Sequence, residues 1–249
     1  MSEDTLLGSN EADTELNLDD LEGATHAVRL DKVYRTYELG NRKIDALQNV
    51  TMEIIPGDFV AISGPSGSGK TTLLNIIGCI DYVTSGRVHV LDVPIGDYDE
   101  AFRATFRLTY TGFIFQSYNL ISTLTALENV MFPMQLSERE LNTIQSDASD
   151  LLERVGLSHR EDHLPWQLSS GEQQRVAIAR AMANDPPVIL ADEPTANLDV
   201  DTAQMVRDLL TALNQEGKTV VTMTHDQQLL SLDDVRRFEM VDGELIPNA

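Results

Sequence analysis

Eight consecutive residues, Gly64-Pro65-Ser66-Gly67-Ser68-Gly69-Lys70-Thr71, fill every fixed position of the pattern G-x-x-x-x-G-K-[ST]. Glycines at these positions let the backbone curl until its N–H groups face a phosphate chain, and a helix start adds about half a positive charge at the same point. Lys70 would then serve the β- and γ-phosphates of a nucleoside triphosphate. The Thr71 hydroxyl would serve a Mg²⁺ ion, with Thr72 beside it in the first helical turn. Further along, the apolar run from Val188 to Ala191 ends in two carboxylates, Asp192 and Glu193. At the carboxyl edge of a parallel sheet, where ligands bind, Asp192 can take Mg²⁺ directly or through its waters, and Glu193 can polarise an attacking water as general base. Successive strand residues point to opposite faces, so in a regular strand the two acids cannot share one task.

These groups need elements to hold them. Phe59-Val60-Ala61-Ile62 reads as a buried strand before the glycine loop, and the segment from Thr72 to Ile77 as a helix after it. An alternating strand begins at Val28-Arg29-Leu30, and turns are expected at Pro56-Gly57-Asp58 and Thr84-Ser85-Gly86. Further strands are predicted over 112–116, 187–191 and 219–225. The pattern between Ser117 and Asp185 is helical, closing with a long helix from about Gly171 to Asn184. Ser169 and Glu172 have the spacing of a capping box at its start. Cys79, the one cysteine, is expected to be a buried, inert thiol in the helix after the glycine loop. Trp166 is expected to pack the helical insert.

Leu168-Ser169-Ser170-Gly171-Glu172-Gln173-Gln174-Arg175, together with the two phosphate motifs, resembles the signature of ATP-binding cassette (ABC) ATPases, usually written L-S-G-G-Q. Other elements of that family have counterparts here. The resemblance implies that Tyr37 stacks on adenine, that Gln116 senses Mg²⁺ and the attacking water, that Asp199 belongs to the D-loop, and that His225 is the switch histidine near the γ-phosphate. Ser169 and Gly171 are the residues such proteins use to touch the γ-phosphate of a second copy. Ser170 departs from the pattern by standing where the first signature glycine usually is; a left-handed backbone there would cost about 1–2 kcal/mol, a helical or extended one little. The likeness covers about residues 28–246, and its wording is most similar to the macrolide-export and lipoprotein-release branch.

The implied fold class is α/β: a P-loop nucleotide-binding core with a parallel sheet (28–116 and 186–249) and a helical subdomain (117–185). Residues 1–27 carry eight acids and no Lys or Arg and are expected to be a solvated, disordered tail outside the 28–249 domain. The implied cofactors are ATP and Mg²⁺. The implied partners are a second copy in a head-to-tail ATP sandwich and a separate transmembrane permease, contacted through the helical insert and the segment around Gln116. The chain is expected to be cytoplasmic and to meet the inner face of the membrane only through that permease. A cell-division ABC ATPase that regulates a membrane partner without transport fits the motifs as well. A DNA-repair or translation ABC protein should carry a coiled coil, a zinc module or a second cassette, and none is read here.

Forty acidic residues face eighteen basic ones, four of them lysines, for a net charge of −22, and removing the tail's eight acids still leaves −14. Such a surface repels nucleic acid and anionic lipid. It is also what a protein kept soluble in concentrated salt shows, because the Debye length falls from about 10 Å at 0.1 M to about 3 Å at 1 M. The melting temperature should therefore rise steeply from about 0.1 M to several molar KCl as repulsion is screened. A flat thermal-melt series across that range would return the composition to ordinary acidity.

Overall fold

The computed structural model describes residues 23–40, 42–137 and 139–247; nearly all of the acidic tail lies outside them. Among the described residues there are two sheets and seven α-helices. Strands β1 (Val28–Leu39) and β2 (Arg42–Ile54) lead to β3 (Phe59–Ser63) and helix α1 (Lys70–Ile77). β4 (Ser85–Val90), α2 (Glu100–Tyr110) and β5 (Thr111–Ile114) follow, and then α3 (Ala126–Gln135), α4 (Leu141–Arg154) and α5 (Ser170–Ala181). The chain closes with β6 (Val188–Asp192), α6 (Val200–Gln215), β7 (Thr219–Met223), α7 (Gln227–Leu230), β8 (Val235–Val241) and β9 (Glu244–Pro247).

The main sheet runs β5-β6-β7-β3-β8-β9, parallel throughout except for the β8–β9 hairpin at its edge. The near-continuous apolar runs of β3 and β6 fit strands covered on both faces. Val60 and Ile62 of β3, Val188 and Leu190 of β6, and Val221 of β7 point into one core with α1. Their neighbours Phe59, Ala61, Ile189, Ala191 and Val220 point into a second core with α3 to α6. Alternation by two thus feeds two cores from one strand, which gives three layers.

The turn expected at Thr84-Ser85-Gly86 instead opens β4, and β2 and β4 flank β1 in a separate antiparallel sheet, ordered β2-β1-β4. Register shifts interrupt the β1–β2 ladder three times between Leu30 and Thr36, and Lys32 and Asn49 take left-handed backbone angles. Such irregularities break the period of two that marks a strand in sequence. The helix expected over 171–184 ends at Ala181, just before the left-handed Asp185, and α1 begins at Lys70 rather than Thr72. Cys79 is buried just beyond the end of α1, not within it, and burial pushes its thiol up to about 12.

Candidate nucleotide site

The turn between β3 and α1 is shaped by close approach. A Cβ at Gly64 would stand 2.1 Å from the Met240 carbonyl oxygen, and one at Gly69 2.3 Å from that of Ala46; both residues have positive φ. Only glycine fits either place. Inside the turn the Lys70 ammonium donates to the carbonyls of Gly64 at 2.5 Å and Pro65 at 3.0 Å. Gly69 caps α1 without a side-chain hydrogen bond, and no acid sits in the first turn. Helices α2, α3, α5, α6 and α7, by contrast, are capped by the side chains of Asp99, Thr125, Ser169, Asp199 and Asp226. The first N–H groups of α1 thus have no side-chain acceptor, which is the arrangement that receives an anion.

Opposite the loop, β6 delivers Asp192, whose Oδ2 accepts a hydrogen bond from Thr71 Oγ1 at 2.9 Å. The next residue does not continue the strand. Glu193 has a φ of 47°, and its N–H donates to the Met223 carbonyl at 2.8 Å. The left-handed turn swings its carboxylate into the cavity that Asp192 lines, where the backbone N–H of His225 donates to Oε2 at 3.1 Å and His225 Nε2 lies 3.3 Å from Oε1. The expectation that the acids face apart fails because the strand ends between them. Burial pushes both carboxyl groups above their ordinary values, against the Thr71 hydroxyl at Asp192 and the His225 N–H at Glu193. A carboxylate raised in this way is a better proton acceptor.

The cavity measures about 730 Å³. Ser66, Gly67, Gly69, Lys70, Thr71, Thr72, Gln116, Asp192, Glu193 and His225 all line it, while Gly64, Pro65 and Ser68 build the loop beneath. Tyr37 is outside the lining. Its hydroxyl donates to Asp81 Oδ2 at 2.5 Å, and the Arg35 guanidinium, which bonds both Asp81 oxygens, lies 4.4 Å from the ring centroid. The wall on that side is formed by Ile44, the cross-strand partner of Tyr37, with Asp45 and Ala46. Sequence reading missed these three residues, and Thr195, Ala196, Ala203 and Asp226, as lining; the polar sequence around β2 carried no signal for the first three.

Ser169, Gly171 and Asp199 also stand outside the cavity of their own chain. Ser169 Oγ accepts from the Glu172 N–H at 3.3 Å while Glu172 Oε2 accepts from the Ser169 N–H at 2.8 Å, which completes the capping box. Ser170 opens α5 without a positive φ, so it carries none of the left-handed cost. Gly171 is set by packing, since a Cβ there would lie 2.3 Å from Thr202 Cγ2 at the start of α6. Asp199 caps α6 through the Thr202 N–H at 2.9 Å and hydroxyl at 2.7 Å. Trp166 is 73% exposed, contrary to the packing role expected for it; Pro165 and Leu168 on either side are buried instead.

The ABC transporter family profile matches residues 47–196, more than half of the chain. The chain belongs to the ABC transporter family. It is an ATP-binding, ATP-hydrolysing cassette of that family. An uncharacterized ABC transporter ATP-binding protein of Methanocaldococcus jannaschii, MJ1508, is 47% identical over 86% of this chain and 95% of its own length. The macrolide export ATP-binding/permease protein MacB of Escherichia coli O157:H7 is 42% identical over 90% of the cassette, which spans 34% of that longer protein. Among solved structures, the dimeric, post-hydrolysis cassette MJ0796 bound to ADP and Pi superposes with a TM-score of 0.83 at 45% identity, covering 88% of this chain and 96% of its own. That relative also comes from Methanocaldococcus jannaschii.

The geometry of Ser170 makes a direct prediction. Glycine at an ordinary helical position costs at most about 0.5–1 kcal/mol, so Ser170→Gly should leave ATP turnover within about threefold. A gain of tenfold or more in phosphate release would show that the serine restrains the signature in a way the free chain does not reveal.

Proposed function

We propose that this cassette is the energy-coupling subunit of an ABC transporter, in which two copies close head to tail over two Mg-ATP molecules and drive a separate membrane permease. One observation carries this reading. The loop, both acids and His225 converge on a single cavity, while Ser169 and Gly171 stand outside it, where only another molecule could use them. The dimeric state of the MJ0796 cassette supports it.

In the closed pair, Lys70 and the α1 N-terminus would neutralise the phosphates, and Ser169 and Gly171 of the second copy would complete the γ-phosphate shell. Thr71 and Asp192 already converge through a 2.9 Å hydrogen bond and offer Mg²⁺ two oxygen donors. Two protein oxygens suit an ion that otherwise keeps phosphate and water ligands, with Gln116 facing the same cavity. The bound ion would supply charge neutralisation between the phosphates. Glu193, held by the His225 N–H, would accept the proton of the attacking water. Adenine would stack on the face of Tyr37 that Arg35 does not cover, with the ring held at its hydroxyl by Asp81.

No helix among the described residues is long and apolar enough to cross a membrane. A second cavity, about 580 Å³, lies between α2, β5, α3 and α5 beside the segment after Gln116, lined by Phe113, Phe115, Phe132 and Leu136. We assign the permease contact to this apolar groove, which would hold the cassette at the inner face of the membrane. Similarity to MacB favours export as the direction.

Glu193→Gln keeps the acceptor for the His225 N–H but not the base. It should bind ATP and hydrolyse it about 10²–10⁴-fold more slowly. It should also accumulate an ATP-bound dimer, in which the emission of the only tryptophan, exposed three residues from Ser169, moves to shorter wavelength. Near-normal phosphate release would remove Glu193 from the base role.

Ser169→Ala should lower turnover about ten- to a hundredfold, the worth of a hydrogen bond to a charged group, while monomer ATP affinity barely changes. Its melting temperature should also fall, because the α5 cap is lost at about 0.5–2 kcal/mol. Mixing Ser169→Ala with Lys70→Ala chains should assemble heterodimers with one intact composite site and restore partial activity. If Ser169→Ala instead weakened ATP binding to the monomer as strongly as Lys70→Ala, the head-to-tail pairing would be wrong.

A further inference from the structure

Asp226 follows His225 directly, and its carboxylate ties α6 to the start of α7. Oδ2 accepts from Arg207 Nη1 of α6 at 2.6 Å, and Oδ1 accepts from the N–H groups of Gln228 at 2.9 Å and Leu229 at 3.4 Å. Thr195, two residues beyond Glu193, lines the same cavity as Asp226. The Asp226 N–H in turn donates to Thr224 Oγ1 at 2.9 Å, which fixes the backbone on either side of His225. That backbone matters because the His225 N–H is what holds the Glu193 carboxylate.

The ion pair is sheltered: the Arg207 and Asp226 side chains are 7% and 12% exposed. Arg207 Nη2 donates to Gln204 Oε1 at 3.0 Å, while Nε has no partner among the described residues. A buried guanidinium so placed has little freedom to move without its carboxylate. Arg207 also lies eight residues along α6 from Asp199, roughly 12 Å at 1.5 Å per residue. The helix therefore joins the base site to the end of α6 beside Gly171.

We propose that Arg207 and Asp226 are a positioning pair, which sets Glu193 and His225 at their working places and couples those places to the position of α6. The pair touches none of the reacting atoms. Arg207 acts through Asp226, and Asp226 acts through the His225 backbone. The inference rests on the reading of Glu193 as base, and the Glu193→Gln measurement tests that reading separately.

Arg207→Met, Asp226→Asn, the double variant and Arg207→Lys, each assayed well below its own melting temperature, test the pair. Displacing a catalytic group by about 1 Å can cost about 10²-fold, so each of the first two should lower kcat by about ten- to a hundredfold with KM for ATP within about threefold. The double variant should be no slower than the slower single one, because both remove the same interaction. Arg207→Lys should recover part of the loss. Should Arg207→Met not fold, Asp226→Asn and Arg207→Lys still decide. Unchanged kcat in Asp226→Asn, losses that multiply in the double variant, or a rise in KM as large as the fall in kcat would each overturn the assignment.

Discussion

The site depends on one backbone turn. A regular strand would place Asp192 and Glu193 on opposite faces of the sheet, and the left-handed φ of 47° at Glu193 brings both into one cavity. For a residue with a long side chain that conformation costs about 1–2 kcal/mol. It is held by the bond from the Glu193 N–H to Met223 at 2.8 Å, by the return bond from the Ala196 N–H to the Glu193 carbonyl at 3.0 Å, and by the His225 N–H on the carboxylate. Adjacent β7 thus stabilises the break in β6. Asp192 and Glu193 share a space only because the strand stops between them.

Electrostatics then set the contrast on which phosphate binding relies. The chain carries −22 overall, yet the loop keeps Lys70 on its own carbonyls and leaves the α1 N-terminus free of any acid. Five of the other helices spend an oxygen-bearing side chain on the same end. A local positive pole within an acidic surface is what an anionic ligand needs for both attraction and selectivity. Burial of the two carboxylates raises their proton affinity, a cost that a bound cation would offset.

The second layer of positioning comes from polar side chains reaching across elements. Asp81 gathers Arg35 and Tyr37 from β1, and Asp226 gathers Arg207 and the start of α7. Gly171 lets α5 and α6 begin against each other, with the capping box of Ser169 and Glu172 beside that contact. Each contact fixes a loop through a carboxylate or a missing side chain. In such places a small displacement is transmitted rather than absorbed, because close-packed interiors do not yield continuously.

Residues close together in sequence made much of this legible. The glycine loop, the apolar strands at β3, β6 and β7, and the capping box at α5 are patterns of a few residues, and local backbone geometry follows from them. The family resemblance added Gln116, His225 and Asp199, whose types alone say little. The antiparallel sheet did not show, since its bulged, polar strands lack a clean period, and with it went Ile44, Asp45 and Ala46 as walls of the cavity. Tertiary structure alone decided that Tyr37 is engaged by Asp81, 44 residues away, and that Thr71 bonds Asp192 across 121. It also decided that Glu193 turns inward and that Arg207 meets Asp226. Periodicity encodes which face of an element is buried, but it carries no record of which polar side chains from distant elements will meet when those faces pack.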